Sequence, residues 1–242
     1  MEFRRWAVNV TVMFLVAGSA FAQSSNADNF HLEEATIDAV HASMQSDGLT
    51  CRQLVQLYLN RIEAYDQKGP RLNTVQSINS RALEQADQLD AAFASSGLTG
   101  PLHCIPVLLK DQVETSDMPT TYGSVLFEEF VPERDATIVT RMKNAGALIL
   151  AKTTMGEFAS RYVGSGYGVI RNAYDPTRNP SGSSGGTASS VAANFGMVGI
   201  GEDTSGSIRG PAAVSNLVGL RPTVRWRSDA FCRMTVSSSR SI

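Results

Sequence analysis

Histidine and cysteine are scarce: three of each stand among 242 residues. His31, His41 and His103 are not spaced with acidic ligands as a zinc site requires, and Cys51, Cys104 and Cys232 are too few for a cysteine-based metal site or a disulfide scaffold. Three cysteines cannot all pair within one chain, so an exported protein keeps at least one free thiol or bonds a partner. Excess positive charge is also lacking. The formal net charge is −2, and the 21 Lys and Arg are dispersed apart from a cluster near the C-terminus. That excludes the basic stripe of a nucleic-acid binder and favours a small-molecule or peptide substrate. Neither glycine-rich stretch ends in Gly-Lys-Ser or Gly-Lys-Thr, which excludes a phosphate-binding P-loop. No fixed-period repeat is present.

What is present begins with "MEFRRWAVNVTVMFLVAGSAFAQ". Arg4 and Arg5, an apolar run and Ala20-Phe21-Ala22 give the layout of a cleavable secretory signal over residues 1–22. The run is short and interrupted by Asn9 and Thr11, so an uncleaved anchor is the weaker reading. Export, with no stable membrane insertion after cleavage, is expected. The remaining chain is apolar enough, at 43% hydrophobic residues overall, for one globular domain.

Periodicity places the elements. "LEEATIDAVHASMQSDG" carries Ile37, Val40 and Met44 at helical spacing and stops at Gly48. Thr50 is positioned to cap a second helix whose stripe is Leu54, Leu57, Tyr58 and Ile62, ended by Gly69-Pro70. "TVQSIN" predicts a strand and "SRALEQADQLDAAFASSG" a capped amphipathic helix. Short apolar runs then alternate with helices: "CIPVLLK", "DATIVTRMKNAGA", "LILAKT", "SSVAANFG" and "MVGIGED". This is α/β grammar, and runs as apolar as Val107-Leu108-Leu109 suit strands buried on both faces of a mixed or parallel sheet.

Two Ser/Gly stretches, "SGSSGG" and "TSGSIRG", interrupt this pattern between loop or strand segments and helices. They are too close together for domain linkers, and either tight turns or functional loops whose N–H groups meet negative charge would account for them. Gly182 to Gly186 satisfies G-x-S-x-G, but a hydrolase serine of that type needs a later histidine, and His103 is the last. His103 beside Cys104 is a poor thiol–base pair, because neighbours on an extended strand face opposite ways; a buried cysteine is the simpler reading. Lys110 closes the run "IPVLLKDQ". There it is either a structural lysine paired with Asp111 or, held against a low-dielectric core, an amine that accepts a proton.

The blocks "GPLHCIPVLLKDQVET", "RDATIVTRMKNAGALILAKTTMGEF", "SGSSGGTASSVAANFGMVGIGEDTSGSIRGPAA" and "LVGLRPT" together resemble the amidase signature family of serine hydrolases, over about residues 31–223. The resemblance implies an α/β fold with a mixed β-sheet core flanked by helices, and amide hydrolysis of a small-molecule or peptide substrate without metal or cofactor. It implies a catalytic triad of Lys110, Ser183 and Ser207, with a cis peptide bond before Ser183. Ser207 would attack the carbonyl while Ser183 passes its proton to neutral Lys110. The backbone N–H groups of Thr204, Ser205, Gly206 and Ser207 would form the oxyanion hole. Gly182 would relieve crowding at the cis bond, Ser184 would support the turn, and Asp203 with Arg209 would fix the nucleophile loop.

Some positions depart from the family's commonest pattern. Cys104 and Ser205 replace glycines, and Glu202 stands where threonine is frequent; these are expected to be tolerated variants. After Thr223, "VRWRSDAFCRMTVSSSRSI" no longer follows the family, so residues 224–242 are expected to be a non-family tail, from a frameshift, a truncation or a natural short ending. A core of residues 23–223 lacks the C-terminal part of the family fold. It is then expected to leave a sheet edge and apolar surface uncovered, with weak or absent activity. An amidotransferase A-type subunit, an inactive remnant and a non-enzymatic binding module remain as alternatives. Nothing in the sequence specifies an oligomeric state.

Overall fold

The computed structural model describes residues 30–222 and the dipeptide Val236–Ser237. The expected signal over 1–22, Cys232 and nearly all of the 224–242 tail lie outside the described residues.

Helix α1 (Ile37–Gln45) starts at Thr36, whose side chain accepts from Ala39 N–H, and buries Val40 and Met44. Helix α2 (Cys51–Ile62) opens on a full capping box: Thr50 accepts from Gln53 N–H, and the Gln53 side chain accepts from Thr50 N–H. It runs on into a π-helical turn, Glu63–Gln67. Strand β1 (Val75–Ile78) leads to α3 (Ala82–Ser96). The expected side-chain cap of α3 is not formed by the N-cap residue, Arg81. The Asn79 side chain accepts from Arg81 N–H at 2.9 Å instead, while its amide is anchored on Ile149 O at 2.8 Å.

Strands β2 (Pro106–Lys110) and β3 (Leu148–Thr153) are buried at every residue, as their unbroken apolar runs require. Between them comes α4 (Thr137–Asn144); after β3 follow the short hairpin β4 (Val163–Gly164) and β5 (Gly168–Val169), then α5 (Gly185–Ala192) and β6 (Val198–Ile200). Helix α6 (Arg209–Val214), β7 (Val218–Gly219) and β8 (Val236–Ser237) complete the order. The main sheet runs β1-β3-β2-β6-β8-β7. Its centre, β3, β2 and β6, is parallel, and β1, β8 and β7 pair antiparallel, so the sheet is mixed as expected.

One face of the sheet presents Leu108, Leu148 and Leu150 to Val40, Leu54, Val55, Tyr58, Ala86 and Val191, joining α1, α2, α3 and α5 in a single core. The other packs Val107, Leu109 and Ile149 against Ile138, Val139 and Met142 of α4. Apolar surface is left exposed on the loops after β2 and β3: Leu126 is 77% accessible, and Phe127, Phe130, Val131 and Phe158 are also open to solvent. Phe127 meets Tyr122, Phe130 and Phe158 edge-on there, with ring centroids 5.6 to 6.3 Å apart.

Cys104 does not sit on an extended strand. It occupies a turn before β2 with φ 59°, a left-handed conformation that glycine adopts without steric cost, and it is disulfide-bonded to Cys51 at the start of α2. The bond joins the start of α2 to the turn that enters β2 across 53 residues of sequence. Cys104 is buried as expected, and its pairing with Cys51, left open by the sequence, is added by the fold.

Candidate active site

Strand β2 delivers Lys110 to the C-terminal end of the parallel strands, the usual place for an α/β site. Its side chain is fully buried, and Nζ lies 2.6 Å from Ser183 Oγ and 3.4 Å from Glu202 Oε2. Burial pulls the amine down to about 8, against the opposing pull of Glu202 and, at longer range, of Asp203 and Asp111. Lys110 is not paired with Asp111. That carboxylate, also fully buried, accepts instead from Thr121 N–H and Oγ1, Gly123 N–H and the Gln76 amide. A protonated Lys110 donates to Ser183; a neutral one can take the Ser183 proton along the same line.

Ser183 enters this position through a turn packed too tightly for side chains. The Gly182–Ser183 peptide bond is cis. A Cβ on Gly182 would fall on the carbonyl of Arg161, and one on Gly186 would fall on the carbonyl of Thr154. The need for glycine at 182 thus lies in a neighbouring segment and not only in the bond itself. Helix α5 begins at Gly185, earlier than its apolar residues suggest, and Gly186 lets its first turn sit directly against Thr154, just past the end of β3.

Ser184 ties this turn to the second glycine-rich loop. Its N–H donates to Ser207 O at 3.1 Å, its hydroxyl donates to Glu202 O at 3.2 Å, and the same oxygen lies 3.3 Å from Glu202 N–H. Asp203 organises that loop from within. Its carboxylate accepts from Gly206 N–H at 2.7 Å, from Ile208 and Arg209 N–H at 3.3 Å each, and from the Arg209 guanidinium at 3.0 and 3.1 Å. Burial alone would push this carboxyl up; Arg209 and the backbone donors outweigh it and hold the carboxyl well below its usual range.

A sign follows for stability. A depressed carboxyl contributes stability that is present above its unfolded value and is lost as pH falls through the folded one. Asp203→Asn removes the charge from these bonds. Allowing for the exposure of Arg209, we expect a loss on the order of 2 kcal/mol in urea unfolding at pH 7, shrinking as the pH is lowered toward 3.

Ser183, Ser205, Gly206 and Ser207 line one open cleft of about 680 Å³, together with Arg161, Tyr162, Asn179 and Arg209. The two glycine-rich loops are therefore brought together on one wall, and Ser207 faces the same space as Ser183. Among the described residues no hydrogen bond joins Ser207 Oγ to Ser183. Of the four expected oxyanion donors, Gly206 N–H is turned onto Asp203, and Thr204 does not line the cleft; Ser205 and Ser207 do.

Two features were not anticipated. Glu202, expected to be a tolerated variant, reaches Lys110. Lys152, paired with Leu109 on the neighbouring strand, is a second fully buried lysine, pulled down to about 8 by burial. Its Nζ donates to Thr120 Oγ1 at 2.8 Å and to Pro119 O at 3.2 Å, away from both serines. Lys152 near the end of "LILAKT" was not singled out in the sequence.

A buried amine thus meets a serine at a glycine-rich helix entry, and a second serine lines the same open cleft. The Amidase family model matches residues 53–238, running past the boundary expected at 223. The chain is 41% identical over 186 residues to the A-type subunit of glutamyl-tRNA(Gln) amidotransferase from Exiguobacterium sp., covering 76% of this chain and 38% of that protein. It is 39% identical to the chloroplastic/mitochondrial counterpart from Vitis vinifera, covering 80% of this chain and 35% of the relative. Among solved structures it superposes on the native peptide amidase of Stenotrophomonas maltophilia with a TM-score of 0.77 at 41% identity, over 79% of this chain and 41% of the other. An amidase family protein from Bacillus anthracis gives 0.78 at 36% identity, over 82% and 42%. The chain belongs to the amidase family and carries its α/β fold. It spans about two fifths of the length of these relatives.

Proposed function

We propose that this chain cleaves a carboxamide C–N bond through an acyl-enzyme on Ser207. The observation that carries the reading is the 2.6 Å contact between Lys110 Nζ and Ser183 Oγ in a site from which water is excluded at the lysine. Neutral Lys110 takes the proton of Ser183 as Ser183 takes that of Ser207, whose oxygen attacks the carbonyl carbon. The N–H groups of Ser205 and Ser207 steady the oxyanion. The relay then reverses: the proton held by Lys110 passes through Ser183 to the departing nitrogen, so an amine leaves rather than its anion. Water, activated by the same relay, releases the acid and restores Ser207. The second leg, Ser183 to Ser207, closes when substrate fills the cleft.

The substrate is a small-molecule or peptide amide, and no step requires a metal or cofactor. Export through residues 1–22 fits the Cys51–Cys104 disulfide, a bond of oxidising compartments. It also weighs against a tRNA-dependent amidotransferase role, although the curated relatives quoted above carry that name. An inactive remnant is the second reading, favoured by the open Ser183–Ser207 leg.

A fluorophosphonate probe applied to the full chain between pH 6 and 10 tests the reading. One adduct is expected on Ser207, formed at a rate that rises with pH through about 8 as Lys110 becomes neutral. Absence of labelling, or labelling on Ser207 that is flat across this range, overturns it.

A further inference from the structure

Glu202 is clamped on three sides. Its backbone N–H and C=O both meet Ser184 Oγ, one carboxylate oxygen accepts from Thr204 Oγ1, and the other faces Lys110 Nζ at 3.4 Å. Its side chain is 31% accessible while the lysine beside it is fully buried, so the pair spans the boundary between the core and the cleft. The other charges near Lys110 are committed elsewhere: Asp111 to Thr121, Gly123 and Gln76, and Asp203 to Arg209 and the backbone of its own loop. From β3 and the entry to α5, Lys110 is met by Thr153 and Ser183, which carry no charge.

We propose that Glu202 is a positioning residue for this site, acting through Lys110: its carboxylate sets how much of that amine is free to act as a base. The inference rests on the reading of Lys110 as the base. A carboxylate this close favours the ammonium form, and the ammonium cannot take a proton from Ser183. The chain therefore keeps its base largely protonated at neutral pH and releases it as the medium turns alkaline. A threonine at this place would supply a hydroxyl without that brake. Glu202 is then a pH-setting residue and not a filler.

The test is an NMR titration of lysine side chains labelled with ¹³C at Cε, in the full chain and in Glu202→Gln, with Lys110 assigned from its disappearance in Lys110→Met. We expect the Lys110 midpoint to fall by about one pH unit, the low end for a neighbouring opposite charge because Glu202 is partly solvated. Lys152, bonded to Thr120 and Pro119, should not move. At pH 7 the neutral fraction of Lys110 then rises about fivefold, and fluorophosphonate labelling of Ser207 should rise with it. Glu202→Thr should shift both readouts the same way and serves if the glutamine variant does not fold.

An unchanged Lys110 midpoint in both variants overturns the proposal, even where Ser207 labelling depends on Lys110. A shifted midpoint with no reaction at Ser207 at any pH supports the coupling and overturns the hydrolytic reading instead.

Discussion

Lys110→Met is expected to slow acylation of Ser207 about a thousandfold, within the range general bases contribute, while leaving the fold standing. Methionine fills most of the buried volume that the lysine stem occupies, and it removes the cost of holding an amine out of water. What disappears is the atom 2.6 Å from Ser183 Oγ, and without it neither serine has a route for its proton. Lys152→Met is the matched control. That lysine is equally buried and pulled down to about 8, yet its bonds go to Thr120 and Pro119. Rates of Ser207 labelling should therefore be near normal in Lys152→Met and collapse in Lys110→Met. Equal rates in the two variants would mean that Lys110 is structural only.

The second large effect concerns stability. Removing the Cys51–Cys104 bond with Cys51→Ala is expected to cost about 4 kcal/mol on the chain-entropy account, because the bond closes a loop of 53 residues in the unfolded chain. Cys104→Gly loses the same bond but removes a side chain from a residue with φ 59°, so about 1 kcal/mol should return. Urea midpoints should therefore rank the parent above Cys104→Gly, and Cys104→Gly above Cys51→Ala. Equal midpoints for the parent and Cys51→Ala would show that the bond does not stabilise the fold.

Much of this architecture was legible residue by residue. The runs in β2 and β3 alternate no polar face, which suits strands buried on both sides, and Thr50 with Gln53 writes a helix start in side-chain chemistry. Lys110 was legible as a candidate because it ends such a run. Its partner was legible only through the family resemblance, since Ser183 stands 73 positions further along the chain. The pairing of Cys51 with Cys104 was hidden for a similar reason: no local pattern reports which turn meets which helix start. The start of α5 was misplaced because glycine reads as a helix breaker, whereas Gly186 is there to let the helix touch the Thr154 carbonyl. Gly206 was expected to donate into the cleft, and Asp203, three residues earlier, captures that N–H.

The most direct measurement is rapid acid quenching of the full chain mixed with a panel of aliphatic, aromatic and peptide carboxamides, followed by fragmentation of the peptide that spans residues 179–209. The account predicts the mass of the substrate's acyl group on Ser207 with release of the matching amine, both growing as pH is raised through about 8. Amine release with Ser207 unmodified at every time point, or an acyl group carried by Ser183 or another residue instead, would contradict it.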